Sequence, residues 1–124
     1  QRTGLLIYLG RLLANTHGPR LPRVVAALTA ILGNTAEPTK VRGAAAEALG
    51  KIAHRAAYKS LIAALTDPAA EVRLFAAFAL GDLGDPRAIP ALKKRLADRA
   101  RVRPYGTVAA DARKSIRQLT NHVD

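Results

Sequence analysis

Three stretches of this chain share one apolar pattern. Counted from a valine as position zero, apolar or small residues recur at 0, +4, +7, +8 and +11. They read Val41, Ala45, Ala48, Leu49 and Ile52; then Val72, Ala76, Ala79, Leu80 and Leu83; then Val108, Ala112, Ser115, Ile116 and Leu119. Spacings of three and four residues put side chains on one side of a helix, so each stretch is predicted to be a helix with an inward stripe. The first two copies begin 31 residues apart and the third 36 residues later. That leaves room for two helices of about eleven to thirteen residues and two short turns per unit. A hairpin this small cannot bury its apolar side alone and must stack on copies of itself. The expected fold is an all-α, right-handed α-solenoid of helical hairpins, about three and a half repeats long, with no strand.

The first helix of each hairpin repeats as well. Tyr58, Leu61, Leu65 and Asp67 map onto Ile89, Leu92, Leu96 and Asp98, and Val25, Leu28, Leu32 and Asn34 fill the same places one unit earlier. Asp67-Pro68 and Asp85-Pro86 read as helix starts, an acidic cap followed by a proline whose missing N–H costs nothing in the first turn. Gly33 and Gly84 read as stops. Helices are predicted near 2–14, 20–33, 38–53, 56–66, 69–83, 87–98 and 106–120. The chain is then one domain over 1–124, with a half repeat at 1–14 and repeats at 20–53, 56–84 and 86–122. Leu5, Tyr8, Leu9 and Leu12 match the second-helix template, so the chain opens in mid-repeat and reads as a piece of a longer array. It contains no Met, so the natural start is expected upstream of Gln1.

Composition narrows the chemistry. Apolar residues make up 49% of the chain and aromatics only 4%, as expected where Ala and Leu helices pack regularly rather than around one globular centre. With no Cys there are no disulfides, thiolate zinc sites or cysteine nucleophiles. His17, His54 and His122 lack the i, i+4 spacing that places two ligands on one helix side, and read as surface residues. Neither a metal nor a cofactor is expected. No stretch approaches the ~20 apolar residues of a membrane span; the compartment stays open, with the cytoplasm favoured.

Net charge is +11 and unevenly placed. Residues 87 to 117 hold ten basic side chains against Asp98 and Asp111. Within that region the turn from Arg99 to Thr107 is five residues longer than its counterpart after Asp67 and reads Arg-Ala-Arg-Val-Arg-Pro-Tyr-Gly-Thr. Insertions on one edge of a solenoid often contact the partner. Arg99, Arg101, Arg103 and Tyr105 are therefore candidates for contact with an anion, whether phosphate backbone, acidic protein or lipid headgroup. A solvated face that keeps an Ala-rich helix soluble is the alternative.

The text Val-Arg-x-x-Ala-Ala-x-Ala-Leu-Gly, with Gly-Asp-Pro-Arg-Ala-Ile-Pro-Ala-Leu from Gly84 to Leu92 and Leu-x-Asp-Pro-x-x-Glu-Val-Arg from Leu65 to Arg73, resembles the short HEAT-like repeat of phycobilin lyases. Such repeats occur across many bacterial and archaeal scaffolds, so the resemblance implies a fold before an activity. It also implies an ion ladder along the stack, in which Arg42 and Arg73 answer Asp67 and Asp98; position +1 of the last repeat is Ala109, where the ladder runs out. Asn121 stands where such arrays often carry Gly.

The resemblance further implies that second helices line a concave, partner-binding face. On a helical wheel, positions +2, +6 and +10 lie opposite the buried stripe. They are Gly43, Glu47 and Lys51; Leu74, Phe78 and Asp82; Ala110, Lys114 and Gln118. Leu74 and Phe78, one turn apart with Phe75 at the margin, read as an apolar anchor for a partner. The leading expectation is a non-catalytic protein-interaction scaffold with Glu47, Lys51, Leu74, Phe78, Asp82 and Lys114 on its binding face, together with the basic turn. A nucleic-acid-binding solenoid is the alternative that the charge favours. HEAT-like DNA alkylpurine glycosylases show that such a surface can hold duplex DNA, but they use concave-face Trp and Asp residues and this chain has no Trp, so base excision is not expected. A phycobilin-lyase-like subunit is the third reading.

Overall fold

The computed structural model describes residues 21–121; the half repeat expected at 1–14, and His17 and His122, lie outside them. Three stacked helical hairpins fill the described span. The first pairs α1 (Leu21–Gly33) with α2 (Thr39–Ile52). The second opens on a 3-10 turn (Arg55–Ala57), continues into α3 (Tyr58–Ala64) and pairs with α4 (Ala70–Leu83). The third runs through a 3-10 turn (Pro86–Ala88), α5 (Ile89–Lys93) and a second 3-10 turn (Lys94–Ala97) before α6 (Val108–Asn121).

The predicted stripe is the core. Val72, Ala76, Ala79 and Leu80 are fully buried, as are Ala45 and Leu49 one repeat earlier, facing Leu61, Leu65 and Leu92 from the first helices. One continuous cluster runs from Val25 to Leu119, so no hairpin owns a separate core. The second helices form one layer, α2 against α4 and α4 against α6. Their approach is close enough that small residues are obligatory. A Cβ at Gly50 would stand 2.8 Å from the Ala79 Cα, and one at Gly81 2.6 Å from Ser115 Oγ. Ser115 is buried at a stripe position and satisfies its hydroxyl by donating to the Ala77 carbonyl at 2.7 Å, which bridges α6 to α4.

Helix ends follow the expected chemistry in part. Asp85 caps its 3-10 turn by accepting the Arg87 amide, with Pro86 in the first turn, and Gly84 closes α4 at φ 81°. At the equivalent stop of α2, Ala53 adopts φ 57°, a left-handed conformation that costs an L-residue about 1 kcal/mol or more. His54 then caps the next 3-10 turn, its Nδ1 accepting the Ala56 amide. Gly33 ends α1 as expected, as its last helical residue. One assignment changes. Asp67-Pro68 does not open α4, which starts at Ala70; Asp67 Oδ1 instead accepts the Ala69 amide at 2.9 Å in the turn before it.

The expectation of no strand is also corrected. Arg101–Val102 and Gly106–Thr107 pair as a two-stranded antiparallel ladder. Pro104 and the positive φ of Gly106 (104°) are incompatible with helix, while Val102 and Thr107 are β-branched and suit a strand. Among the described residues no helix is long and apolar enough to cross a membrane.

Two substitutions separate these backbone effects. Gly50→Ala is expected to destabilise the chain by about 1–3 kcal/mol, because the new methyl meets the α4 backbone and the layer must open. Ala53→Gly, three residues away, is expected to stabilise by up to about 1 kcal/mol through relief of the left-handed strain. Urea denaturation of the two variants checks the opposite signs.

A basic hairpin against the second-helix face

Where the third repeat lacks a ladder arginine, the chain inserts its hairpin. Its base is tied by two backbone bonds, from the Ala109 amide to the Asp98 carbonyl at 2.8 Å and from the Val108 amide to the Ala100 carbonyl at 3.1 Å. Thr107 Oγ1 accepts the Ala110 amide and caps α6. At the tip the Tyr105 amide donates to the Val102 carbonyl. The Tyr105 ring meets Phe75 of α4 edge to face, with centroids 5.1 Å apart and planes at 70°, an arrangement favoured by the ring quadrupoles. Phe75 in turn lies over Gly43 of α2, where a Cβ would come within 3.0 Å of the ring. The hairpin therefore folds back onto the second helices instead of projecting from the stack.

This packing leaves a groove of about 210 Å³ between the hairpin tip and the N-terminal halves of α2 and α4, with Lys40, Glu47, Glu71, Phe75, Arg103 and Tyr105 in its walls. On the other side of the tip, Arg101, Arg103, Pro104 and Gly106 border an open cleft of about 450 Å³. Arg99, Arg101 and Arg103 are exposed, and Tyr105 keeps 56% of its surface in solvent despite the stacking.

The apolar pair expected on this face is not there. Leu74 is only 1% exposed, while Phe78 is half-buried. The reason is that α4 is flanked on both sides, by α2 and by α6, and also meets the first hairpin strand. A position opposite the stripe on an isolated wheel is then still inside the stack. Phe75 and Tyr105 form the aromatic contact instead. The sequence held one signal for it in Gly43, a residue with no side chain one repeat before Leu74, the neighbour of Phe75.

Farther along the same layer, Lys51, Asp82 and Lys114 come together from three successive helices. Burial pushes the Asp82 carboxyl up, and the charges of Lys51 and Lys114 oppose it without reversing the shift. Asp111, on α6, is also raised by burial against the opposing Lys114 charge. Glu47 lies in the groove with Arg103, apart from this trio.

The ladder runs along the turn edge. Arg42, 4% exposed, donates through Nε and Nη2 to the Leu32 carbonyl at 2.9 and 2.8 Å and forms a bidentate pair with the Asp67 carboxylate of the next hairpin. Arg73 repeats the arrangement, donating to the Asp67 and Pro68 carbonyls and, through Nε, to Asp98 Oδ2 at 2.8 Å. Burial works to raise the Asp67 carboxyl, but the Arg42 hydrogen bond, the Ala69 amide and the charges of Arg42 and Arg73 outweigh it and hold the group below its ordinary range. Asp98 is likewise held low against its burial by Arg73, the Ala100 amide and Arg95. Each arginine thus joins a carbonyl behind it to a carboxylate ahead of it. Among the described residues no buried side-chain polar atom lacks a partner, and no His, Asp and Glu group suits a metal.

In comparisons with known proteins, the profile of the HEAT-repeat family matches residues 25–110. Among solved structures the chain is similar to the complex of CpcE and CpcF of phycocyanin lyase from Nostoc sp. PCC7120, at 30% identity and a TM-score of 0.71. The match covers 93% of this chain and 47% of that one, so this chain spans about half of its neighbour's length. No curated protein matches the chain.

Removing ladder arginines should cost stability in order of burial. Arg42→Ala is expected to lose about 3–5 kcal/mol, because it strands a buried carboxylate and a carbonyl. Arg73→Ala should lose about 1–3 kcal/mol. The lowered groups contribute stability that is complete above 3.8, their unperturbed value, and is lost as pH falls below it toward their folded values. Asp82 and Asp111 act oppositely, since their raised values favour the native state as they take up protons. Denaturant melts on either side of pH 3.8 should show a drop below it, and that drop should shrink in Arg42→Ala.

Proposed function

Because the chain belongs to the HEAT-repeat family, we propose that it is a non-catalytic scaffold that binds a partner protein through its second-helix face and the basic hairpin folded against it. The contact of Tyr105 with Phe75 carries this reading. It fixes an inserted, arginine-bearing loop on the helix layer, so the ordering entropy of the loop is met on folding rather than on binding. An exposed aromatic flanked by arginines is the composition of an interface anchor. The partner presents carboxylates to Arg101 and Arg103 and an apolar side chain to the Tyr105 ring. Glu47, Lys51, Phe78, Asp82 and Lys114 extend the contact along the helices, and Leu74 supports that surface from below.

A second reading rests on the phycocyanin lyase neighbour: the chain acts as a subunit of a bilin-handling complex. Uptake of a bilin by the chain together with its partner, seen as a new visible absorbance band, would favour it.

The scaffold reading predicts divided roles. Arg101→Ala with Arg103→Ala should slow association by about tenfold and flatten its salt dependence. Tyr105→Ala should weaken the complex by more than about 1 kcal/mol, mainly through faster dissociation. Surface plasmon resonance with the captured partner, at low salt and at about 0.5 M salt where screening lengths fall to a few ångströms, measures both. A ligand that is a nucleic acid, or a complex that vanishes at high salt whichever set is changed, overturns the proposal.

A further inference from the structure

The groove between the hairpin tip and the second helices has a chemistry that the hairpin arginines do not share. It exists because of Gly43. A Cβ there would lie 3.0 Å from the Phe75 ring and 3.6 Å from Glu71 Cγ, so both α4 side chains lean across α2 through the space that glycine leaves. Glu71 is held in that pose by the Thr39 hydroxyl of α2, which donates to its Oε1 at 3.2 Å. Glu47, half-buried on α2, borders the same groove from the other wall.

Two carboxylates therefore meet the Phe75 and Tyr105 rings around one groove. Lys40 and Arg103 also border it, yet neither forms an ion pair with Glu47 or Glu71 among the described residues. Thr39 is the only hydrogen-bond donor to either carboxylate there. The walls belong to α2, α4 and the hairpin, and α4 has a second helix on each side, so the groove is made within the stack. The layer around it has the same character. Of the nine acidic residues in the chain, Asp67 and Asp98 serve the ladder and Asp85 a cap, whereas Glu47, Glu71, Asp82 and Asp111 all stand on second helices, as do both phenylalanines.

From this geometry we infer that the groove takes an arginine side chain of the partner, with its guanidinium on Glu47 and Glu71 and its aliphatic stem along Phe75 and Tyr105. The inference rests on the scaffold reading above and names the residue that the second-helix face selects. A volume of about 210 Å³ falls below the roughly 300–1,000 Å³ of small-molecule sites and suits one long side chain. A planar guanidinium both stacks on aromatic rings and bonds carboxylates in pairs. A nucleic-acid phosphate would instead be set against two carboxylates, a like-charge contact that selects against it. The net charge of +11 repels a polycation and draws in an acidic chain. The arginine is accordingly a single one, carried in a segment whose own carboxylates meet the hairpin arginines.

Fluorescence anisotropy on the full chain tests this with two labelled, capped peptides. Both place one central residue among glutamates and a leucine; it is arginine in the first and citrulline, its uncharged isostere, in the second. The arginine peptide should bind about five- to tenfold more tightly. In Glu47→Gln with Glu71→Gln that preference should shrink to less than about twofold. Arg101→Ala, outside the groove, should weaken both peptides alike and leave the preference intact. Circular dichroism melts confirm that each variant folds. Equal binding of the two peptides, still dependent on Arg101, overturns the arginine site and leaves the scaffold reading standing. A preference for arginine that survives the double glutamine variant overturns the inference as well, since the cation then sits elsewhere. Binding of neither peptide removes the hairpin as a docking surface, and the inference with it.

Discussion

The distance between neighbouring second helices governs the rest of this molecule. Where Gly50 faces Ala79 and Gly81 faces Ser115, there is no volume for another side-chain atom, so each helix in the layer is pressed between two others. A residue on α4 accordingly has three burial directions: the first-helix layer, the preceding repeat and the following one. Only a narrow strip is left for solvent. Leu74 is buried for this reason, and so is Ala77, whose counterpart Arg113 on α6 is exposed because no further helix follows among the described residues.

Close packing of this kind sets spacing, while the arginine ladder sets orientation. Each rung spans from a carbonyl at the end of one first helix to a carboxylate on the next, so a hairpin cannot rotate relative to its neighbour without stranding a charge. The rungs are nearly dry, which makes them costly to break, and their arginines hold Asp67 and Asp98 below the ordinary carboxylate range against that burial. At Asp98 the system changes character. Its carboxylate still answers Arg73, but its carbonyl takes a backbone amide, that of Ala109, and the hairpin emerges between them. The insertion is thereby anchored to the last rung, and three exposed arginines are carried without loosening the stack.

Charge is distributed according to these mechanical limits. The turn edge spends its arginines on structure, the second-helix layer balances Lys51 and Lys114 against Asp82, and the unspent cations collect on the third hairpin. On the inserted loop the charge is accompanied by a tyrosine stacked on a helix.

The residues of the ladder were legible through the resemblance to HEAT-like repeats. The 31-residue period and the helical pairing of the described units were legible in the sequence, because helical periodicity is a property of a segment and its copy. Gly84 and Asp85-Pro86 were legible as helix punctuation for the same local reason. The fate of Leu74 was not, since a helical wheel reports one burial direction and stacking supplies two more. Nor was the partnership of Phe75 with Tyr105, which joins residues thirty positions apart across an insertion that breaks the period. Ala53 in a left-handed stop and the strand pair at Arg101 to Thr107 likewise came from neighbours rather than from propensity. What recurs along the chain determined the architecture; what touches across it, and so where the open surfaces lie, was decided only when the repeats packed.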